Sequence, residues 1–182
     1  RVRALLRRPA MGSWQEAVYW DLANAPLPRD VCDGVDGVFH AAGIAHVADI
    51  TSTEDAAYQR VNVDATRELL AAAANAGVGG FVYFSSVKAA GDPPDYCVDE
   101  AWDAAPRDAY GKSKLAAERL VIGAAQRGSI NACVLRPTLV YGPGVKGNLR
   151  RMIDAVAAGR FPPIPEFGNR RSMVSLGELV AA

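Results

Sequence analysis

Short apolar runs alternate with longer segments whose apolar residues recur at helical spacing. Five runs read as strands: Val2–Leu6, Ala17–Trp20, Gly37–His40, Gly80–Phe84 and Asn131–Leu135. Between the third and fourth lies STEDAAYQRVNVDATRELLAAAANAG, in which Val61, Ala65, Leu69, Leu70 and Ala73 form one stripe. Ser52 or Thr53 can cap its start and Gly77 can stop it, so a single long helix is predicted over Asp55–Asn75. A second helix, Ala109–Gln126, turns Leu115, Leu120, Val121 and Ala124 to the core and ends at Gly128. NLRRMIDAVAAGR reads as a third helix closed by Gly159, FPPIPEFGN as an irregular proline-rich stretch, and LGELVAA as an apolar helical turn. Strands alternating with helices predict an α/β fold around a parallel sheet.

Composition narrows the function classes. With Lys+Arg and Asp+Glu at 20 each, no basic surplus exists to drive binding to nucleic acid or to anionic membranes. No apolar run approaches the roughly 20 residues that span a bilayer, and there is no charged-then-apolar leader. Cys32, Cys97 and Cys133 are odd in number and widely spaced, which fits a reducing cytoplasm and neither a disulfide framework nor a metal site. Cys133, in the run NACVL, is expected to be a small buried hydrophobe. His40 and His46 lack ligand spacing and are read as structural, and no metal is expected. The composition shifts near Gly142–Lys146, dividing the chain into residues 1–141 and 142–182. Because it opens directly on a strand and closes on a helical turn, a fragment is expected.

The candidate chemistry centres on RDAYGKSKLAAERL, where Tyr110 precedes Lys114 by four residues. On a helix these positions share a face, with Cβ atoms roughly 5–6 Å apart. An ammonium there favours the phenolate by charge attraction, and such a tyrosine can exchange a proton with an alcohol or carbonyl. The pair reads equally as an ordinary surface pair, so its context matters. FVYFSSVKAAG ends a strand in Ser85 and Ser86, at the edge of a parallel sheet where side chains enter the ligand crevice, although a serine pair can also simply cap a loop. VDGVFHAAG runs a strand into Ala41, Ala42 and Gly43, which let a large ligand approach the backbone or merely make a tight turn. GPGVKG, from Gly142 to Gly147, has the spacing of a dinucleotide fingerprint but follows the last sheet strand and contains Pro143, so it is read as a decoy.

Taken in order, the HAAG strand end, VNVDAT, the FSS strand end, YGKSK and VLRPTLVYGPG resemble the extended short-chain dehydrogenase/reductase family, the NAD-dependent epimerase/dehydratase group. The resemblance covers nearly the whole chain and implies a Rossmann-like doubly wound parallel sheet followed by the start of a smaller substrate domain. It implies Tyr110 as general acid/base, Lys114 as its electrostatic partner and ribose ligand, and Ser86, five residues before Gly91, as the catalytic serine. It further implies Asp21 and Leu22 at the adenine, Ala41, Ala42, Gly43, Asn62 and Ser85 along the cofactor path, and Pro137 beside the nicotinamide. In this family a glycine-rich loop follows a first strand. The chain contains neither, so weak cofactor binding by these 182 residues is expected. Arg7 and Arg8 stand in LLRRP where an acid usually accepts the ribose 2′-hydroxyl, which tilts the choice between NAD and NADP slightly toward NADP.

On the substrate side the resemblance implies Ser86, Thr138, Asn148, Leu149 and Arg171 as contacts to a nucleotide sugar, with Arg171 on the diphosphate. The nearest branch handles UDP-linked hexoses for surface polysaccharides, as 4-epimerases and 4-keto-sugar reductases. A homodimer through the two long helices is implied as well. Two other readings stay open. One is a non-catalytic NAD(P)-sensing protein on the same fold, and the other is a reductase of an apolar, steroid-like or flavonoid-like ketone. Asn148 and Arg171 speak against the latter, since such a ketone offers them no diphosphate.

Overall fold

A computed structural model describes residues 1–45, 53–92, 98–103, 105–145, 147–163, 165, 168 and 170–182, with backbone alone for 53, 54 and 148. Ser52, His46, Cys97 and Lys146, read above from sequence, lie outside the described residues, as do the side chains of Thr53 and Asn148. The chain divides into two compact units, Arg1–Arg136 and Pro137–Ala182.

In the first unit, β1 (Arg3–Leu6) and β2 (Glu16–Tyr19) pair in parallel. A second parallel sheet has the order β3 (Gly37–His40), β4 (Gly80–Phe84), β5 (Ala132–Leu135). All five strands fall where the sequence pattern puts them, within a residue at each end. Parallel neighbours require long crossovers, and both crossovers of the second sheet are helical. The first holds α1 (Thr53–Tyr58), a π-helical turn (Gln59–Asp64) and α2 (Ala65–Asn75), and the second holds α3 (Ala109–Gln126). Among the described residues, the outer edges of β1 and β3 carry no strand.

The one long helix expected over Asp55–Asn75 is therefore interrupted. A π turn inserts extra backbone into each hydrogen-bonded ring, and it leaves Val61, Asn62 and Val63 all buried in succession. After Asn75 the chain stops as predicted: Gly77 takes φ +71°, which disfavours a side chain. At α3, Asp108 caps the start by accepting the Gly111 N–H at 2.7 Å.

Strand alternation decides what is buried. Phe81 and Tyr83 on β4 point to the helix-covered side, together with Val38 and His40 on β3 and Ala132 and Val134 on β5. The opposite side carries Phe39, 75% exposed, and Cys133. The expectation of a buried Cys133 is thus corrected: its strand is apolar on both faces, and period two sends it away from the helices. The core face of α3 also differs from the hydropathy reading. Its buried positions are Gly111, Ser113, Lys114, Ala117, Glu118, Val121 and Ala124, while Leu115 and Leu120 lie at the margin.

Two charges on a core-facing stripe need partners. Glu118, 1% exposed, accepts the Ser85 hydroxyl from the end of β4 and holds the Arg136 guanidinium at the end of β5 through both carboxylate oxygens, at 2.6 to 3.1 Å. His40 is buried against the rings of Phe81 and Tyr83. Thr66 donates its hydroxyl to the Asn62 carbonyl at 2.7 Å, so it accepts from His40 Nε2 at 2.8 Å, and the imidazole carries its proton on Nε2.

The second unit pairs β6 (Leu139–Tyr141) with β7 (Met173–Ser175) in parallel and adds α4 (Gly147–Ala157) and α5 (Leu176–Ala181). Ser175 and Glu178 cap the start of α5 with a reciprocal capping box at 3.1 and 3.0 Å. The GPGVKG tract joins β6 to α4 here, outside the β3-β4-β5 sheet.

Two stability outcomes follow. Replacing Arg136 with Met strands a buried carboxylate and is expected to cost about 2–4 kcal/mol, somewhat less than for a wholly buried pair because the guanidinium side chain keeps 25% exposure. The double replacement with Glu118→Leu should recover most of this in urea unfolding of the intact protein, and a single-variant cost below about 0.5 kcal/mol would contradict the assignment. Burial, and then the Lys114 charge, lower the His40 pKa from 6.5 to about 4. The unfolded chain therefore binds the proton first. Stability tied to neutral His40 is complete above pH 6.5 and is lost as pH falls through about 4, roughly 3 kcal/mol in all. His40→Gln should flatten that acid limb in urea titrations, and parallel declines for both proteins would contradict it.

Candidate functional site

The carboxyl ends of β3 and β4 and the first two turns of α3 converge, and small residues make this possible. Gly111 is the tightest point: a Cβ there would stand 2.5 Å from the Lys88 carbonyl and 2.9 Å from Pro106 Cβ. The first turn of α3 therefore packs directly on the 3-10 turn Val87–Ala90 that follows β4. Gly91, at φ +80°, lets the chain leave that turn with its Cα close to the Ala105 carbonyl.

Lys114 enters this junction from α3. It is 5% exposed, its Nζ donates to the Phe84 carbonyl at 2.7 Å, and it stands 4.3 Å from the centre of the Tyr83 ring. Burial lowers its pKa from 10.5 to about 8, against the opposing pull of Glu118 one turn further along the helix. Tyr110, one turn earlier, is half-buried, and its ring lies 6.1 Å from that of Tyr58. Its hydroxyl holds no hydrogen bond among the described residues, which leaves it open to an incoming oxygen.

The end of β3 joins the same cluster. Ala41, Ala42 and Gly43 are exposed and present no side chain beyond a methyl. A Cβ on Gly43 would stand 2.9 Å from Asn62 Oδ1 and 4.0 Å from Lys114 Nζ, so this backbone passes close beside the ammonium. Asn62 is buried and fully engaged. Its oxygen accepts the Ile44 N–H at 2.9 Å, and its amide donates to the Ile44 carbonyl at 3.0 Å and to Ser113 Oγ at 2.9 Å. Ser113 in turn donates to the Tyr110 carbonyl at 2.8 Å. Asn62 thus fixes the segment after β3 against the helix that carries Tyr110 and Lys114.

The two serines are divided. Ser85 is buried on Glu118, whereas the half-buried Ser86 accepts the Lys88 N–H at 3.2 Å and keeps its own proton to donate. Ser86 does cap a turn, as the alternative reading held. At the end of β2, Asp21 accepts from the Ala23 N–H and the Asn24 side chain at 3.0 Å each, bonds that together with the nearby Arg7 charge hold its carboxyl below the usual range. Leu22 packs on the core, and Arg7 and Arg8 are exposed just past β1.

The first unit therefore brings together Ala41, Ala42, Gly43, Asn62, Ser85, Ser86, Tyr110 and Lys114 at one sheet edge. Pro137, Thr138, Asn148, Leu149 and Arg171 belong to the second unit, where Leu149 is buried on α4 and Arg171 is exposed. Sequence reasoning passed over Gly111, Ser113, Tyr83 and the Glu118–Arg136 pair. The first two stand inside YGKSK itself, and Glu118 repeats the four-residue spacing that had drawn attention to Lys114. Among the described residues no His, Cys, Asp or Glu cluster could hold a metal, and no helix is long and apolar enough to cross a membrane.

Comparison with known proteins places the chain in a family. A UDP-glucose 4-epimerase of Vibrio cholerae is 39% identical over 150 residues, covering 79% of this chain and 45% of that protein. A 3 beta-hydroxysteroid dehydrogenase/Delta 5→4-isomerase of Mycobacterium tuberculosis is 32% identical over 150 residues, covering 79% and 40%. The chain spans about half the length of these curated relatives. Among solved structures, MoeE5 in complex with UDP-glucuronic acid and NAD aligns with a TM-score of 0.82 at 32% identity, over 98% of this chain and 61% of that one. The parallel α/β architecture is accordingly Rossmann-like. The family described as NAD dependent epimerase/dehydratase matches residues 1–182, from the first residue to the last, and the chain belongs to that family.

Proposed function

We propose that the intact protein is an NAD(P)-dependent enzyme acting at C4 of a UDP-linked sugar, as an epimerase or reductase. The observation that carries the reading is the Lys114 ammonium, buried at the sheet edge beside the bare Gly43 backbone, with the Tyr110 phenol one helical turn away. An exposed Ala-Ala-Gly strand end offers its backbone to a dinucleotide, and a side chain at Gly43 would instead collide with Asn62 Oδ1, 2.9 Å from its Cβ position. Ala41, Ala42 and Gly43 would line the cofactor through their backbone, and so would Ser85, whose hydroxyl is committed to Glu118. Asp21 and Leu22 would meet the adenine, Lys114 the ribose and Pro137 the nicotinamide, while Asn62 keeps the path in shape.

When bound, the nicotinamide supplies the hydride acceptor and donor. The chain's own residues handle the proton. Tyr110 takes it from the sugar O4 hydroxyl, or returns it, while Lys114 stabilises the phenolate and Ser86 donates to the same oxygen. Thr138, Asn148, Leu149 and Arg171 would hold the nucleotide sugar, with the Arg171 fork suited to a diphosphate. The reading includes a substrate-binding region beginning at residue 142, a cytoplasmic location and a homodimer through the helical segments Asp55–Asn75 and Ala109–Gln126, for which sedimentation of the intact protein is the check. A steroid-like ketone is the second reading, favoured by the mycobacterial relative. The 39% identity to the Vibrio protein supports the sugar.

In the intact protein, Tyr110→Phe should lower turnover of UDP-hexoses by about 10²–10⁴-fold and change dinucleotide affinity little. Undiminished turnover would reject the role of Tyr110, and turnover of sterols alone would replace the sugar reading. For the cofactor, NADP should bind more tightly than NAD. Arg7→Ala should weaken NADP about tenfold and NAD hardly at all in parallel titrations, and equal losses for both would reject a 2′-phosphate contact.

A further inference from the structure

We propose that Tyr83 is a positioning residue for Lys114, its ring face holding the ammonium charged and in place. The inference deepens the reading above and rests on it for its link to turnover.

Tyr83 is 0% exposed next to the last residue of β4, on the side that α3 covers. Lys114 Nζ lies 4.3 Å from its ring centre, within the roughly 6 Å over which a ring quadrupole attracts a cation, and such attraction grows as water is removed. The following residue, Phe84, supplies the carbonyl at 2.7 Å, and the next, Ser85, binds Glu118. Three successive residues at the end of β4 thus grip the two charged residues that α3 turns inward.

The hydroxyl of Tyr83 does none of this work. It is buried near Thr66 without a hydrogen bond of normal geometry. Burial and the Glu118 charge keep that phenol protonated far above neutrality, so it adds no charge of its own. The part of Tyr83 that meets Lys114 is the ring.

The other groups around Nζ can be named. Glu118 faces it from α3, on which Tyr110 stands one turn before Lys114; His40 faces it from β3, the Phe84 carbonyl from β4, Asn62 from the π turn and the Gly43 backbone from the segment after β3. His40 is neutral above about pH 4, so among the charged neighbours Glu118 alone raises the Lys114 pKa in the range where Lys114 titrates. Beside the Phe84 carbonyl, the ring is a further contact that favours the charged amine over the neutral one.

The test reads Lys114 directly. The chain has four lysines, Lys88, Lys112, Lys114 and Lys146, so the side-chain NMR signals of the intact, cofactor-free protein labelled with 15N-lysine can be assigned by substitution. Tyr83→Phe should leave the Lys114 midpoint where it is in the unaltered protein. Tyr83→Leu should lower it by about one pH unit and move the alkaline limb of turnover the same way. Trifluorophenylalanine at position 83 keeps the shape of a ring while weakening its quadrupole, so it guards against misfolding of the Leu variant and should give a smaller fall. Unchanged midpoints in both the Leu and the fluorinated proteins would overturn the proposal. Full turnover in Tyr110→Phe beside a lowered Lys114 midpoint in Tyr83→Leu would sink the catalytic reading and leave the positioning role standing. A dead Tyr110→Phe with unmoved midpoints would do the reverse.

Discussion

An ammonium with almost no access to water is the constraint around which the first unit is arranged. Lys114 sits 5% exposed at the end of a parallel sheet, and a buried cation is tolerated only where fixed dipoles or opposite charge replace its hydration. The replacement comes from three directions: a carbonyl at 2.7 Å, an aromatic face at 4.3 Å and the Glu118 carboxylate one turn along the helix. Glu118 is itself buried, so it requires Arg136 and Ser85. The polar chain therefore runs from the junction through α3 to the ends of β4 and β5, and no member can be removed without stranding a neighbour. Residual cost remains, since Lys114 gives up its proton near pH 8, well below an exposed lysine.

Close approach is the other half of the arrangement. Lys114 can reach the Phe84 carbonyl because Gly111 lets the first turn of α3 touch the Lys88 backbone. Gly43 lets the segment after β3 pass Asn62, and the π turn lets Asn62 face inward between two valines that are also buried. A regular helix would spread three consecutive residues over most of its circumference and expose at least one of them. The local irregularity thus buys one inward polar side chain without surrendering the apolar face, and that side chain ties β3 to the helix bearing Tyr110 and Lys114.

Much of this was legible from sequence, for identifiable reasons. The strands announced themselves as short apolar runs. Helix ends were marked by Gly77, Gly128 and Gly159, which take φ of +71°, +70° and +64°. The order of motifs at strand ends identified the family. Hydropathy, however, ranks Lys114 and Glu118 as solvent-seeking, so the core face of α3 was drawn through Leu115 instead of through those two charges. Cys133 was misplaced because an apolar strand does not reveal which of its faces the helices will cover. The π turn, the contact made by Gly111 and the pairing of β6 with β7 depend on residues distant in sequence or on backbone geometry, and no local pattern encodes them.

Substrate choice has to be argued from the second unit. Relatives named for a sugar nucleotide and for a steroid each match 79% of the chain, so the proposed roles of Tyr110, Lys114 and Ser86 do not by themselves choose between the two kinds of oxygen. A proton on an alcohol is the same problem in either molecule. What distinguishes them is the remainder of the ligand: a diphosphate demands fixed cations, whereas a sterol demands an apolar wall. Residues 137–182 carry Arg150, Arg151, Arg160, Arg170, Arg171 and Lys146 against Asp154, Glu166 and Glu178. Arg150 is occupied by Asp154 at 2.9 Å, and Arg171 is exposed on the approach to β7. An excess of guanidinium is poorly matched to a steroid and well matched to phosphate oxygens, which take two parallel hydrogen bonds from each fork. The charge balance of this unit, more than the proposed Tyr110–Lys114 pair, is what bears on the choice between the two proposed chemistries.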